Sequence, residues 1–296
     1  MNTIGVLARA DLAEAGPAIR ELVGWLRERG RRACLDETTA ALAGEGAEPG
    51  CLVASGADMA ALADALVVLG GDGTLLAASR LLERPIPVLG VNFGSLGFLT
   101  EITLPELYPA LEGVLTGRYE HEDRRLLRAL VHRRGRADST ADVLNDVVIT
   151  KAGPSRIIEL DVSVDGLFVS SFRADGIIVS SPTGSTAYNL AAGGPIVRPT
   201  LPAMVVTPIC PHMLSNRPLV VGDESRVEVR LRAARDVDVY TALDGQETLA
   251  LNDGDGVMVT GSPLRLKLVK APGRDYFEVL RTKLRWGEAS ARLRQG

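Results

Sequence analysis

The stretch Ala65-Leu66-Val67-Val68-Leu69-Gly70-Gly71-Asp72-Gly73-Thr74 decides the fold. Its first half is a short apolar run, the pattern of a buried strand. The run stops in two glycines, an aspartate, a third glycine and a threonine, and Leu75-Leu76-Ala77-Ala78 then opens a helix-like segment. A strand that ends in a glycine-rich turn before a helix suits phosphate. Small residues let main-chain N–H groups approach anionic oxygens, and the helix N-terminus adds partial positive charge. Gly70, Gly71 and Thr74 are the expected phosphate loop. Asp72 stands out, because a carboxylate beside phosphate oxygens is repelled unless it accepts a proton or meets a metal ion. The alternative is that Asp72 only braces the turn, as Asp often does.

Strand and helix patterns alternate around this stretch. Ile4 to Ala8 reads as a buried strand, and Ile19, Leu22, Val23 and Leu26 have helical spacing. A second strand is expected at Arg32 to Leu35, whereas Ala40 to Ala54 shows little pattern. Asp58 to Ala63 and Leu75 to Leu82 read as helices, with a strand at Ile86 to Val91. The alternation predicts a doubly wound, mostly parallel α/β sheet, with ligands at the C-terminal strand ends. A second glycine-bearing loop, Asn92 to Leu99, follows the next strand end, and a helix is expected from Leu104 to Leu115. An ordinary turn would explain that loop alone, but two such loops after neighbouring strands suggest a shared cleft.

From about Arg118 the texture changes to short β-rich runs: 124–132, 142–150, 157–164, 167–172, 176–180, 203–209, 226–231, 237–242 and 264–269. Their turns carry Asp165-Gly166, Asp244-Gly245 and Asp253-Gly254-Asp255-Gly256. The last has no flanking helix or terminal Glu to make it a calcium loop, so a hairpin turn is expected. The predicted organisation is an α/β domain over residues 1–120, then a β-rich, mostly antiparallel domain over 121–271. Residues 272–296 turn helical and are expected to pack back on the first domain.

Composition narrows the function. A 296-residue chain with 46% hydrophobic and 24% charged residues is a soluble globular type with room for a sizeable core. A net charge of −4 gives no case for general nucleic-acid binding. Cys34, Cys51 and Cys210 are scattered, as are His121, His132 and His212, so neither a disulfide framework nor a metal-binding spacing is visible. No basic leader and no bilayer-length apolar run is seen, so a cytoplasmic protein without a membrane partner is expected.

The densest chemistry lies in Arg173-Ala174-Asp175-Gly176-Ile177-Ile178-Val179-Ser180-Ser181-Pro182-Thr183-Gly184-Ser185-Thr186-Ala187-Tyr188-Asn189-Leu190. An Asp precedes a strand, and a loop of small hydroxyl residues follows it. Those hydroxyls can cap a helix, or they can offer donors to a base or phosphate. Tyr188 can stack on a planar ring; the plainer reading is a capped helix with a core tyrosine. Asn145-Asp146 opens a strand, with Arg156 in the next turn. Such a pair can hold the two hydroxyls of a ribose, or simply make a turn. Asp244-Gly245-Gln246 has the same two readings.

Together these pieces resemble the NAD kinase family. The likeness lies in Gly70 to Thr74, the Asn92 to Leu99 loop, Leu144-Asn145-Asp146, Asp175-Gly176 through Thr183 to Asn189, and Asp244-Gly245-Gln246. The pieces fall in the family's order and cover most of the chain, and the Pro-Thr-Gly-Ser-Thr-Ala-Tyr segment is the most specific. The resemblance implies a site between an α/β and a β domain. It implies phosphoryl transfer from ATP, with magnesium or another divalent cation on the phosphates, to the 2′-hydroxyl of the adenosine ribose of NAD. By the match Asp72 is the catalytic base and Gly73 lines the NAD site. Asn145 and Asp146 match an Asn-Glu pair that holds the dinucleotide; here the acid is shorter by one methylene. Arg156 and Arg173 would meet phosphates or close the site, and Asp175 would bond the nicotinamide half. Thr186, Ala187, Tyr188 and Asn189 would line the pocket, and Gln246 would complete it. No dedicated metal ligand is assigned. A homodimer or homotetramer is implied, in which one site can borrow residues from a neighbour.

A lipid kinase of the diacylglycerol kinase type would explain the Gly-Gly-Asp-Gly turn but not the Thr-Gly-Ser-Thr-Ala-Tyr segment. A non-catalytic NAD sensor would have no evident use for Asp72. Hydride transfer fits less well, since no Gly-x-Gly-x-x-Gly follows the first strand, and no Walker loop is present.

Overall fold

The computed structural model describes residues 1–44, 51–94, 96–153, 157–213, 215–232 and 237–286. The chain divides into two compact units, Met1–Asp123 with the chain from Leu266 onward, and Arg124–Arg265.

The first unit begins β1 (Thr3–Ala8), α1 (Ala15–Glu28), β2 (Arg32–Asp36), α2 (Glu37–Ala43), β3 (Leu52–Ala54) and α3 (Gly56–Leu62). It continues β4 (Ala65–Leu69), α4 (Asp72–Ser79), β5 (Pro87–Asn92), β6 (Ile102–Thr103) and α5 (Leu107–Leu115). Strands β5, β4, β1, β2 and β3 lie side by side in that order, all parallel. Every residue of β1 and β4 is buried, as strands covered on both faces require. Helix α1 turns Ile19, Leu22, Val23 and Leu26 onto the sheet. Burying each such side chain stabilises the unit by roughly 1.5–3 kcal/mol. The chain reverses after β2 because the Asp36 carboxylate accepts the Thr39 N–H at 3.1 Å and so caps α2. That helix was not expected from the sequence: its alanines carry no apolar stripe, and the cap was its one local signal.

The second unit contains β7 (His121–His132, entering from the first), β8 (Ser139–Val143), β9 (Asp146–Lys151), β10 (Ile158–Val164), β11 (Leu167–Ala174) and β12 (Gly176–Ser180). A short α6 (Tyr188–Ala191) follows, then β13 (Ala203–Ile209), β14 (Leu219–Gly222), β15 (Val227–Arg232), β16 (Val239–Leu243), β17 (Glu247–Leu251) and β18 (Gly256–Val269). One antiparallel sheet runs β11-β10-β15-β18, with β7 and β8 attached; a second runs β14-β13-β12-β9-β16-β17. Leu160, Val162 and Val229 from one sheet and Ile149, Ile177 and Met204 from the other share one core, so the sheets pack face to face. Strand β18 is longer than the sequence reading placed it, since Gly261 and Pro263 disguise its first half. Strands β14 and β17 were not foreseen; their residues are largely exposed and lack alternation. From Leu266 on, β18 belongs to the first unit, where Lys267 and Leu268 pair in parallel with β5. Helix α7 (Tyr276–Leu284) follows, capped by Asp275. Among the described residues no helix is long and apolar enough to cross a membrane.

Candidate functional site

In the first unit the glycine turn follows β4, and Gly71 is the N-cap of α4. Asp72 is the first helical residue, and its carboxylate points at the second glycine-bearing loop. Oδ2 accepts the Phe98 N–H at 2.8 Å. Oδ1 accepts the Leu99 N–H at 3.0 Å, the Thr100 N–H at 3.1 Å and the Thr100 hydroxyl at 3.0 Å. The Thr100 hydroxyl also accepts from the Asn92 amide at 3.0 Å. The two loops are therefore tied through one carboxylate. Gly97 is required by this closeness, because a Cβ there would overlap both the Asp72 carboxylate and the Thr100 hydroxyl.

Gly71 and Gly73 have nothing within 4 Å of where a Cβ would stand. With Thr74 they line a cleft of about 530 Å³ at the strand ends, whose wall includes Arg9, Asp36 and Thr38. Open space at the start of a helix is suited to anionic oxygens. Gly70 is buried against Thr74 and shapes the turn instead of lining the cleft. Arg9 was not anticipated. Its N–H bonds Leu69 O at 3.0 Å, and its guanidinium pairs with Asp11 at 2.6 Å. The available signal was a cation at the C-terminal end of a parallel strand.

In the second unit several predicted residues converge. The Asn145-Asp146 turn is held by Asp244, which accepts the N–H groups of Leu144 at 2.9 Å, Asn145 at 2.7 Å and Asp146 at 3.2 Å. Asp244 has a positive φ of 53°, a conformation Asp tolerates. The Ser181–Gly184 loop packs on the other side of the same turn. Ser181 donates its N–H to Asn145 O at 2.8 Å and its hydroxyl to Leu144 O at 2.5 Å. Gly184 approaches so closely that a Cβ would overlap the Asn145 main chain. Asn145 is half-buried, and its side chain makes no hydrogen bond among the described residues. Asp146 is buried, and burial followed by the Asp244 charge pushes its carboxyl up to about 7. Gln246 is exposed two residues beyond Asp244.

Thr186, the last residue of a short 3-10 turn, and Ala187, which joins that turn to α6, are half-buried. Tyr188 is 45% exposed, which removes the reading of it as a core tyrosine. Asn189 departs from the expectation that its side chain lines the pocket. It is wholly buried, donates to Ser185 O and Pro195 O at 3.1 Å each, and accepts the Thr207 hydroxyl at 2.6 Å. Its amide belongs to the frame. Thr183, not singled out before, has a buried hydroxyl without a hydrogen-bond partner among the described residues.

Arg173 and Asp175 are not brought to this cluster. β12 runs antiparallel to β9 with Ser180 opposite Asp146 and Gly176 opposite Thr150. Asp175 therefore lies five residues along β12 from the Asn145-Asp146 end, about 17 Å at ~3.4 Å per residue. There it pairs with Lys151 at 2.9 Å, and Arg173 is exposed nearby on β11. Arg156 lies outside the described residues. Among the described residues no group of three His, Cys, Asp or Glu side chains could hold a metal ion.

Residues 4–119 match the model of the ATP-NAD kinase N-terminal domain, and residues 144–271 that of the ATP-NAD kinase C-terminal domain. An NAD kinase of Syntrophotalea carbinolica is 47% identical over 296 residues, covering 97% of this chain and 100% of that protein. One from Geobacter sulfurreducens is 47% identical over 291 residues with the same coverage. Among solved structures, yeast NADH kinase complexed with NADH superposes with a TM-score of 0.88 at 26% identity, covering 97% of this chain and 88% of that one. An NAD kinase from Archaeoglobus fulgidus in complex with ATP gives a TM-score of 0.75 at 25% identity, covering 96% and 98%.

Proposed function

The chain belongs to the NAD kinase family, and from that premise we propose that it moves the γ-phosphoryl group of ATP to the 2′-hydroxyl of the adenosine ribose of NAD. The observation that carries the reading is the posture of Asp72. Its carboxylate is fixed by three consecutive main-chain N–H groups and a hydroxyl, while Gly71 and Gly73 on either side of it stand against open space. Oδ1 accepts three of these four bonds and Oδ2 one, so Oδ2 keeps the lone pair for a proton. In the reaction the 2′-hydroxyl gives its proton to that oxygen as its own oxygen bonds to the γ-phosphorus. The bond from phosphorus to the β-γ bridging oxygen breaks, and ADP leaves with the electron pair. Such a transition state is loose, so alignment and charge neutralisation do most of the work. The divalent cation enters as part of the MgATP substrate.

In this reading Gly71, Gly73 and Thr74 meet phosphate oxygens. Asn145 and Asp146 hold a ribose, Tyr188 offers its ring face, and Thr186, Ala187 and Gln246 complete the wall. Arg173 and Asp175 sit at the far end of β12, which supports a homodimer or homotetramer in which a neighbour supplies them. The compartment is cytoplasmic, the partners are NAD, ATP and copies of the chain, and neither nucleic acid nor membrane takes part.

The test is direct. Purified protein is incubated with NAD, ATP and magnesium, and NADP is read with an NADP-specific dehydrogenase. NADP that disappears in Asp72→Asn establishes the reaction and the base. NAD binding without NADP would point to a sensor. Neither would send the search to lipid and sugar acceptors.

A further inference from the structure

Two carboxyl groups of the second unit are buried beside one another, Asp146 at 5% and Asp244 at 7% exposure. Their surroundings are opposite. Asp244 takes three successive amide N–H groups on its carboxylate, and its own N–H donates to Asp146 O at 3.0 Å. Amide donors around a carboxylate favour its charged form. The Asp146 carboxyl makes no hydrogen bond among the described residues, and burial followed by the Asp244 charge pushes it up to about 7.

Among the described residues, the segments hydrogen-bonded to the Asp146 turn bring no cation to it. Its partner across β12 is Ser180. The loop against its turn carries Ser181, Pro182, Thr183 and Gly184. The β16–β17 turn brings Asp244, with Glu247 exposed at its far side. Two carboxylates side by side do not both ionise readily, and amide donors favour charge on the carboxylate that has them.

Resting on the dinucleotide-site reading above, we propose that Asp146 meets the dinucleotide as a neutral carboxylic acid donating a hydrogen bond to a ribose oxygen, with Asp244 as the positioning residue that keeps it so. Asp244 does two things through one side chain. It sets the main chain of residues 144–146, and its charge opposes a second charge next to it. The Glu of the family pattern would carry its carboxyl one methylene further from that main chain; the shorter Asp stays beside it. A bound dinucleotide is itself anionic and excludes water, so it favours the neutral acid further. Binding above the point where free Asp146 ionises therefore takes up a proton from solvent, and affinity falls as pH rises.

The experiment is calorimetric titration of NAD into the full chain at pH 6 and pH 8.5, each in two buffers of different ionisation enthalpy. It is repeated on Asp146→Asn, an isosteric neutral donor. The wild type is expected to take up most of one proton per NAD at pH 8.5 and none at pH 6. Its affinity should fall about tenfold between pH 7 and 8.5. Asp146→Asn should take up no proton at either pH, and its affinity, whatever its size, should not change between pH 7 and 8.5. Proton release, absence of linkage in the wild type, or proton uptake retained by Asp146→Asn, each overturns the proposal. Carboxyl carbon NMR of the ligand-free protein gives a readout that does not need NAD. One Asp signal should titrate near pH 7 and be missing from Asp146→Asn; its absence overturns the proposal. A wild type that binds no NAD at any pH overturns the function reading and this proposal with it, and the NMR signal still reports whether the acid is neutral.

Discussion

Thr100 holds Asp72 twice, donating its main-chain N–H at 3.1 Å and its hydroxyl at 3.0 Å to the same oxygen, Oδ1. The hydroxyl arm is removable without touching the main chain. Thr100→Val is expected to cost about 1.5–3 kcal/mol of stability, the range for a bond to a charged group. If Asp72 is the base, the variant should also lose turnover with little change in KM for NAD, because the carboxylate is then less firmly aimed. Urea unfolding and steady-state kinetics read the two effects separately. A KM rise at constant kcat would show that the loop serves binding instead.

Asp72→Asn is expected to lower turnover by about two to four orders of magnitude, the usual contribution of a positioned base. The amide oxygen can replace Oδ1, but the NH₂ group then faces the Phe98 N–H that Oδ2 accepts at 2.8 Å. The variant should therefore also be less stable, by about 1–3 kcal/mol. Calorimetric NAD affinity within a few-fold of wild type would separate lost chemistry from a lost fold.

Local pattern carried much of the architecture. Continuous apolar runs in β1 and β4 meant strands covered on both faces, and the Asp165-Gly166 and Asp244-Gly245 dipeptides marked hairpins that the structure contains. What could not be read locally depends on distant pairing. Asp244 bonds residues 98 to 100 positions away; Asp72 bonds others 26 to 28 positions away. No window of sequence contains those partners. Likewise, only the antiparallel register of β9 and β12 reveals that Asp175 and the Asn145-Asp146 turn lie at opposite strand ends. Asn189 reads the same in sequence whether it faces a ligand or Thr207; the structure assigns it to Thr207.

Asp146 also sets a pH dependence of stability. Its folded value of about 7 lies above the ordinary carboxyl range. Below about pH 4 both folded and unfolded chains hold the proton, and the residue has no cost. As pH rises from about 4 to 7 the unfolded chain releases it and the folded chain does not, so stability falls, by up to about 4 kcal/mol in all. Above 7 the loss levels off. Asp146→Asn should therefore be more stable than wild type at pH 7.5 and lose that advantage towards pH 4, as urea midpoints across that range will show.

Tyr188 is exposed and has no ring contact to lose among the described residues. Tyr188→Ala should change stability by less than about 0.5 kcal/mol, as for other surface changes. Loss of a stacking face should still weaken NAD by about 1–3 kcal/mol while leaving ATP nearly unchanged. Equal effects on both ligands in binding titrations, or none, would remove Tyr188 from the NAD pocket.

Asn189 should behave in the opposite way. Its amide satisfies Ser185 O, Pro195 O and the Thr207 hydroxyl inside a dry frame. Asn189→Ala leaves all of these without a partner, each at about 1–3 kcal/mol if no water enters. A stability loss of at least about 3 kcal/mol and a marked fall in melting temperature are expected. Any protein that remains folded at low temperature should bind NAD with an affinity within a few-fold of wild type, because the amide reaches no open space. A variant of normal stability with a large loss of NAD affinity would instead return Asn189 to the pocket wall. That result would require α6 to open on binding and release the amide from Thr207.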